Sequence, residues 1–234
     1  MTDSVDNEPR RIFVWDLPVR VMHWALLVLV IGAWLTRELE GDWFVWHVRI
    51  GYAVCIVAVT RILWGFFGTR YARFADFLRG PSSVIAYLRG AASAHHVGHN
   101  PAGGWMVLLL LALLLGQAVT GLFANDQVSE TGPLFGYVTV QRSDALTTMH
   151  KIGFLLLQCA VALHVAAVLF HRFVRRENLL TPMFTGYKSK SLTPPGAESI
   201  DGSRVALAVG LVAAVGAVLW WVVRSAPEAS LFAF

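Results

Sequence analysis

Five long apolar blocks, separated by charged or Gly/Pro-containing stretches, run through this chain. A hydrocarbon core about 30 Å thick is crossed by about 20 apolar residues in a helix. Residues 18–37, 45–67, 102–124, 146–172 and 204–223 all reach that length. Lipid offers no partner to backbone N–H and C=O groups, so spans of this kind are helical. The blocks therefore predict an all-α transmembrane helix bundle. Composition excludes the alternative of one oversized soluble core: 56% of the 234 residues are hydrophobic and 15% charged, against about 45–50% and about 25% in an ordinary soluble domain.

The formal net charge of +4 does not mark a nucleic-acid binder, because the cations are scattered through the connections between apolar blocks. Counted by side, they set an orientation instead. The N-terminal segment, the second connection and the fourth connection hold Arg10, Arg11, Arg20, Arg61, Arg70, Arg73, Arg79, Arg89, Arg172, Arg175, Arg176, Lys188, Lys190 and Arg204, which is 14 of the 19 Lys and Arg; Arg37, Arg49, Arg142, Lys151 and Arg224 fall on the other side. That asymmetry predicts a multi-pass membrane protein with its N-terminus in the cytoplasm and its C-terminus outside. Glu38, Glu40, Asp42, Asp126, Glu130 and Asp144 then face outward, where a basic partner could meet them. Met1–Pro9 reads as a frayed polar end, and the first span, long and without a small-residue cleavage site, as a retained helix. Cys55 and Cys159 both lie within apolar blocks, and no Cys-x-x-Cys-His sequence occurs, so neither disulfides nor c-type haem are expected. The stretch Phe74–Leu88 reads as a short interfacial helix, and Ser189–Gly202, with Pro194 and Pro195, as a flexible link to the last span.

Ionisable side chains at membrane depth are costly and mark function. Four histidines fall inside predicted spans: His23, His47, His150 and His164. Alone, each is equally well explained by a hydrogen bond to a neighbouring helix. Together they are more specific. His150 and His164 are 14 residues apart, about 21 Å along one helix and about 40° from a common face. His47 opens the second span at the level of His150, and His23 lies as deep as His164, so the pairs His47/His150 (outer) and His23/His164 (inner) follow. Two facing imidazoles at one depth suit the axial positions of haem iron and leave no open coordination for oxygen chemistry, which favours electron transfer. Zinc would need its ligands gathered at one point. A histidine proton relay lacks an acidic residue mid-span to continue it.

Haem propionates need cationic or hydrogen-bonding neighbours. Arg61, 14 residues after His47, and Arg20, one turn before His23, could serve the inner haem; Arg49 and Lys151 could serve the outer one. All four fit snorkelling interfacial charges equally well. His171, seven residues beyond His164, is read as a propionate or interfacial group in preference to a ligand. His95, His96 and His99 cluster in a loop, where solvation is the expected state and a metal centre is disfavoured; His99 belongs to a turn and helix start.

At VWDLPVRVMHW (14–24), HVRIGY (47–52), RILWGFFG (61–68), GHNPAGG (98–104), MHKIGF (149–154), LHVAAVLFH (163–171) and RENLLTPMFTGYK (176–188) the sequence resembles the bacterial cytochrome b561 and nickel-dependent hydrogenase b-type cytochrome family. The resemblance implies a four-helix core holding two b haems, whose ligands match His23, His47, His150 and His164 here, plus a fifth, C-terminal transmembrane helix outside the shared core. Residues 1–188 would be the dihaem domain, 189–203 a linker and 204–234 the added helix and tail. It also implies electron transfer across the bilayer between the quinone pool and a periplasmic redox partner, such as a c-type cytochrome or a hydrogenase module, with quinone oxidoreductase activity as one form of that role. Trp24, Trp64, Arg61 and His171 are candidates for a quinone site. An anchor subunit of a nickel-iron hydrogenase or another membrane-bound oxidoreductase is the alternative.

Overall fold

The computed structural model describes residues 11–39, 43–90, 96–128 and 130–228. The expectations for Met1–Pro9, Arg10, Glu40, Asp42 and His95 lie outside the described residues. Strand β1 (Arg11–Phe13) leads into helix α1 (Leu17–Glu38), and α2 (Trp43–Phe67) returns antiparallel to it. The short helices α3 (Phe74–Phe77) and α4 (Pro81–Leu88) lie in the next connection, followed by α5 (Pro101–Leu122) and the long α6 (Val140–Phe173). Helix α7 (Leu180–Thr185), strand β2 (Tyr187–Ser189) and helix α8 (Val205–Arg224) complete the order. Five of these helices, α1, α2, α5, α6 and α8, are long and apolar enough to cross a membrane, as the five blocks require.

Capping residues set the helix starts. The Asp16 carboxylate accepts from the Val19 amide at 2.7 Å, with Pro18 in the first turn, where its missing N–H costs nothing. Asn100 does the same for α5, accepting from Gly103 at 2.7 Å ahead of Pro101. Thr139 caps α6, so that helix begins six residues before the predicted span. The stretch expected as one interfacial helix is two, divided at Leu78–Gly80; the α4 N-terminus is fixed by Pro81.

Helix α2 is the centre of the bundle. It packs against α1 on one side, α5 on another and α8 on a third, while α6 packs chiefly on α5. Val54, Cys55 and Ala58 of α2 meet Leu114 and Ala118 of α5 and Leu157 of α6 in one buried cluster. The large exposed apolar side chains, such as Val28, Ile31 and Val209, face outward, as a lipid-solvated bundle requires.

A second buried cluster sits at the basic end of the bundle, where α1 starts. It gathers Val14, Trp15, Val19, Met22, Trp64 and Tyr71. The segment beyond α7 closes over it. β2 pairs antiparallel with β1, with Ile12 opposite Lys188, and Gly186 accepts from the amides of Val14 and Trp15 at 2.9 and 3.1 Å. Gly186 has φ +87°, and a Cβ there would stand 2.7 Å from the Phe13 ring and the Trp15 carbonyl; both facts demand glycine. The stretch expected to be a flexible link is tied down as well. Ile200 N–H donates to the Phe13 carbonyl at 3.0 Å, Phe13 N–H to Ser199 Oγ at 3.0 Å, and Tyr71 O–H to the Glu198 carbonyl at 2.7 Å. Its Pro-rich composition signals no helix, but backbone bonds to the first strand leave it little freedom.

Candidate haem sites

Three helices deliver the four histidines: His23 comes from α1, His47 from α2, and both His150 and His164 from α6. The structure brings them together in two pairs. The rings of His23 and His164 are 6.3 Å apart, centre to centre, and those of His47 and His150 are also 6.3 Å apart. An imidazole nitrogen stands about 1.1–1.2 Å from its ring centre and binds a metal at about 2.0–2.1 Å, so two imidazoles on opposite sides of one ion have centres about 6.2–6.6 Å apart. Both observed separations fall in that interval. Interplanar angles are 59° and 83°, so the paired rings are not stacked on each other.

The donor chemistry suits a metal. His47 Nδ1 lies 2.9 Å from the Ala33 carbonyl and His150 Nδ1 lies 3.0 Å from the Gln117 carbonyl. A ring nitrogen against a carbonyl must carry the proton, which leaves the lone pair on Nε2, the form that binds metal. The Gln117 side-chain amide stands 3.1 Å from His150 Nε2, so a metal there would displace it. His23 Nδ1 is buried with no partner. Space is also provided: a Cβ built at Gly51, one turn after His47, meets nothing within 4 Å. At Gly121 the opposite holds, since a Cβ would stand 3.0 Å from His150 Cε1; α5 lacks a side chain there so that the ring can lie against it.

The cations divide by end. Arg61 is buried, at 6% exposed, and its guanidinium makes one long contact, 3.5 Å to the Ala72 carbonyl. Among the described residues no carboxylate lies within ion-pair distance of it. Arg20 donates to the Phe184 carbonyl, while its Nε is buried without a partner. At the acidic end, Arg49 is exposed and lies over the Trp46 ring at 4.9 Å, and Lys151 is exposed. His171 is not brought to either pair. Its Nδ1 meets Glu177 at 3.0 Å and its Nε2 meets Tyr87 O–H at 3.2 Å. Glu177 in turn pairs with Lys188 at 2.9 Å. Burial alone would raise the Glu177 carboxyl, but the Lys188 ammonium and His171 pull it below its ordinary value.

Sequence reasoning passed over His99, expecting a solvated loop residue. Its ring lies between those of Trp15 and Phe77, 4.7 Å from each. The signal that could have found it is the aromatic composition of VWDLPVR and of the Phe74–Phe77 turn, though nothing in the spacing ties either to residue 99. Asp16 and Gln117 were also missed as positioning groups.

Residues 14–186 match the family described as prokaryotic cytochrome b561. A probable Ni/Fe-hydrogenase B-type cytochrome subunit of Rhodobacter capsulatus is 25% identical over 213 residues, covering 76% of this chain and 81% of the relative. A probable Ni/Fe-hydrogenase 1 B-type cytochrome subunit of Escherichia coli is 22% identical, covering 76% and 90%. A probable superoxide oxidase CybB of Yersinia pestis is 28% identical over 175 residues, covering 69% and 90%.

Proposed function

The chain belongs to the prokaryotic cytochrome b561 family and is a membrane b-type cytochrome of electron transport, and from that premise we propose that it carries two b haems in series and is the membrane cytochrome subunit of a hydrogenase-type oxidoreductase. The observation that carries the dihaem reading is the equal 6.3 Å separation of two histidine pairs, which α6 spaces about 21 Å apart along its axis. His23 and His164 would hold the haem near the basic end, His47 and His150 the one near the acidic end.

When bound, each haem would supply a one-electron couple, and two histidines of the chain holding it would leave no open position for oxygen, so the site would pass electrons. The chain does the rest. Ala33 and Gln117 carbonyls fix the tautomer of the acidic-end ligands, and the apolar bundle lowers the dielectric around them. Arg61 and Arg20 offer unused donors beside the basic-end pair, to which propionates would bond. Arg49 and Lys151 are the corresponding cations at the acidic end. The proposed orientation sets the N-terminus in the cytoplasm and the acidic end in the periplasm. The hydrogenase subunits among the relatives support a hydrogenase module docking there.

A second reading is a free-standing cytochrome exchanging electrons between quinone and a periplasmic redox protein such as a c-type cytochrome; it stands beside the first because one relative is named a probable superoxide oxidase and not a hydrogenase subunit. Haem content separates the dihaem reading from its rivals. Pyridine haemochrome analysis is expected to give two b haems per chain; His23→Ala or His164→Ala should remove one set of spectral features, and His47→Ala or His150→Ala the other. A single signal lost in all four variants would overturn the pairing. Co-purification with a hydrogenase, against reoxidation of the isolated cytochrome by a quinone analogue, distinguishes the two partners.

A further inference from the structure

Resting on the dihaem reading, we propose that His99, with Arg61, holds a propionate of the basic-end haem and so sets the potential of that haem alone. Four observations converge on this. The His99 ring is clamped between Trp15 and Phe77 at 4.7 Å from each, so it cannot swing out to solvent. Its Nδ1 is sealed from solvent with no hydrogen-bond partner. It lies within electrostatic reach of Arg61, His164 and His23, and burial, followed by those three neighbours, lowers its imidazole to about 3. Arg61 is itself a buried cation with only a 3.5 Å contact to a carbonyl.

A polar nitrogen left unpartnered in a low-dielectric site is costly, and so is a buried cation on which the nearest carboxylate, Asp16, acts only from beyond ion-pair distance. Two such groups within electrostatic reach of each other can share one anionic acceptor. A neutral imidazole donates one N–H and a guanidinium donates several, which together match a carboxylate. The position agrees with that occupant. His99 stands two residues before the first turn of α5, at the basic end. A haem held by His23 and His164 would stand at the same end of the bundle as His99, whereas one held by His47 and His150 would lie about 21 Å further along α6. Trp15 and Phe77, both buried, set apolar rings against His99, and a low local dielectric strengthens a bond made there.

The direction of the effect follows from charge. Donors to a propionate spread its negative charge and favour the ferrous haem; removing one leaves the ferric state better stabilised, so the potential falls. His99→Phe keeps an aromatic ring in the clamp and removes the donor, whereas His99→Gln keeps a donor. In the detergent-purified holoprotein, redox titration of His99→Phe is expected to show two haems still present. The ferrous-to-ferric ratio of the basic-end haem at a fixed ambient potential should drop by roughly tenfold, equal to about 59 mV for a one-electron couple. The acidic-end haem should be unmoved, and His99→Gln should recover most of the shift. The propionate bending band of the affected haem in the resonance Raman spectrum should move in His99→Phe and return in His99→Gln. Retention of the basic-end haem by His99→Gln and its loss from His99→Phe would support the same assignment.

Unchanged potential and Raman band in His99→Phe would overturn the role of His99. So would equal loss of the haem from both variants, since donor chemistry would then be irrelevant. Neither result touches the dihaem reading, which fails separately if His23→Ala and His164→Ala leave the haem count at its original value.

Discussion

The Trp64 indole N–H donates to the Asp16 carboxylate at 3.0 Å, and both side chains are fully buried. The same oxygen of Asp16 accepts from the Thr69 hydroxyl, and its other oxygen caps α1 through Val19. One carboxylate thereby fixes the start of α1 against the end of α2, where His23 and Arg61 must be held in register. Asp16→Asn keeps the size but offers one acceptor oxygen where two are used, and sets an NH2 group against existing donors. The expected loss is about 2–4 kcal/mol of stability, read by thermal unfolding in detergent, while Trp64→Phe should cost less, about 1 kcal/mol, because the Thr69 hydroxyl still bonds that carboxylate oxygen. Equal stability of Asp16→Asn and the parent chain would remove this bond from the account.

Gly121 predicts a local effect on the acidic-end pair. An added methyl would meet His150 Cε1 at 3.0 Å and Nδ1 at 3.3 Å, pressing the ring away from α5 and from the Gln117 carbonyl that orients it. Gly121→Ala should weaken haem retention at that end about tenfold or more, as loss of an orienting partner commonly does, and leave the features of the His23/His164 haem intact. Gly210→Ala on α8, where a Cβ meets nothing within 4 Å, should leave both haems in place. Haem-to-protein ratios after extended washing separate the two outcomes.

Glu177 predicts a pH dependence. Its folded-state carboxyl lies below its ordinary value through Lys188 and His171, against the opposing effect of burial. The sign follows: the contribution is complete above the unfolded-state value of about 4.3 and disappears as the pH falls through the lower folded value. Thermal stability should therefore decline below about pH 4.3, and the decline should be shallower in Glu177→Gln. At neutral pH that variant leaves the Lys188 ammonium, 5% exposed, with the His96 carbonyl at 2.8 Å but without its carboxylate, and is expected to cost about 3 kcal/mol. Identical pH profiles for the two proteins would show that the network contributes nothing.

Much of this arrangement could be anticipated from local pattern. The spans were legible because bilayer thickness converts directly into apolar length. The ring pairs were legible because depth along a helix is arithmetic once the ends are known; His23 meets His164, and His47 meets His150. The parts not legible depend on contacts distant in sequence. Helix α6 continues to Val140 through Gln141, Arg142, Ser143 and Asp144, where hydropathy falls off but Thr139 still caps a helix. Ile200 returns to Phe13 across most of the chain, a pairing that no period announces. His99 reads as a polar loop residue until Trp15 and Phe77 are seen to enclose it. His171 follows the histidine face of α6, yet Tyr87 and Glu177 occupy both its nitrogens.

Helix α6 contributes one ring to each pair and rests mainly on α5, so it is the single rail on which both centres are aligned. A slide of one residue along its axis would carry His150 and His164 about 1.5 Å in the same direction and turn them about 100° away from their partners together. Neither centre can be retuned by moving that rail without disturbing the other. Independent adjustment has to come from the far sides, through α1 for one centre and α2 for the other.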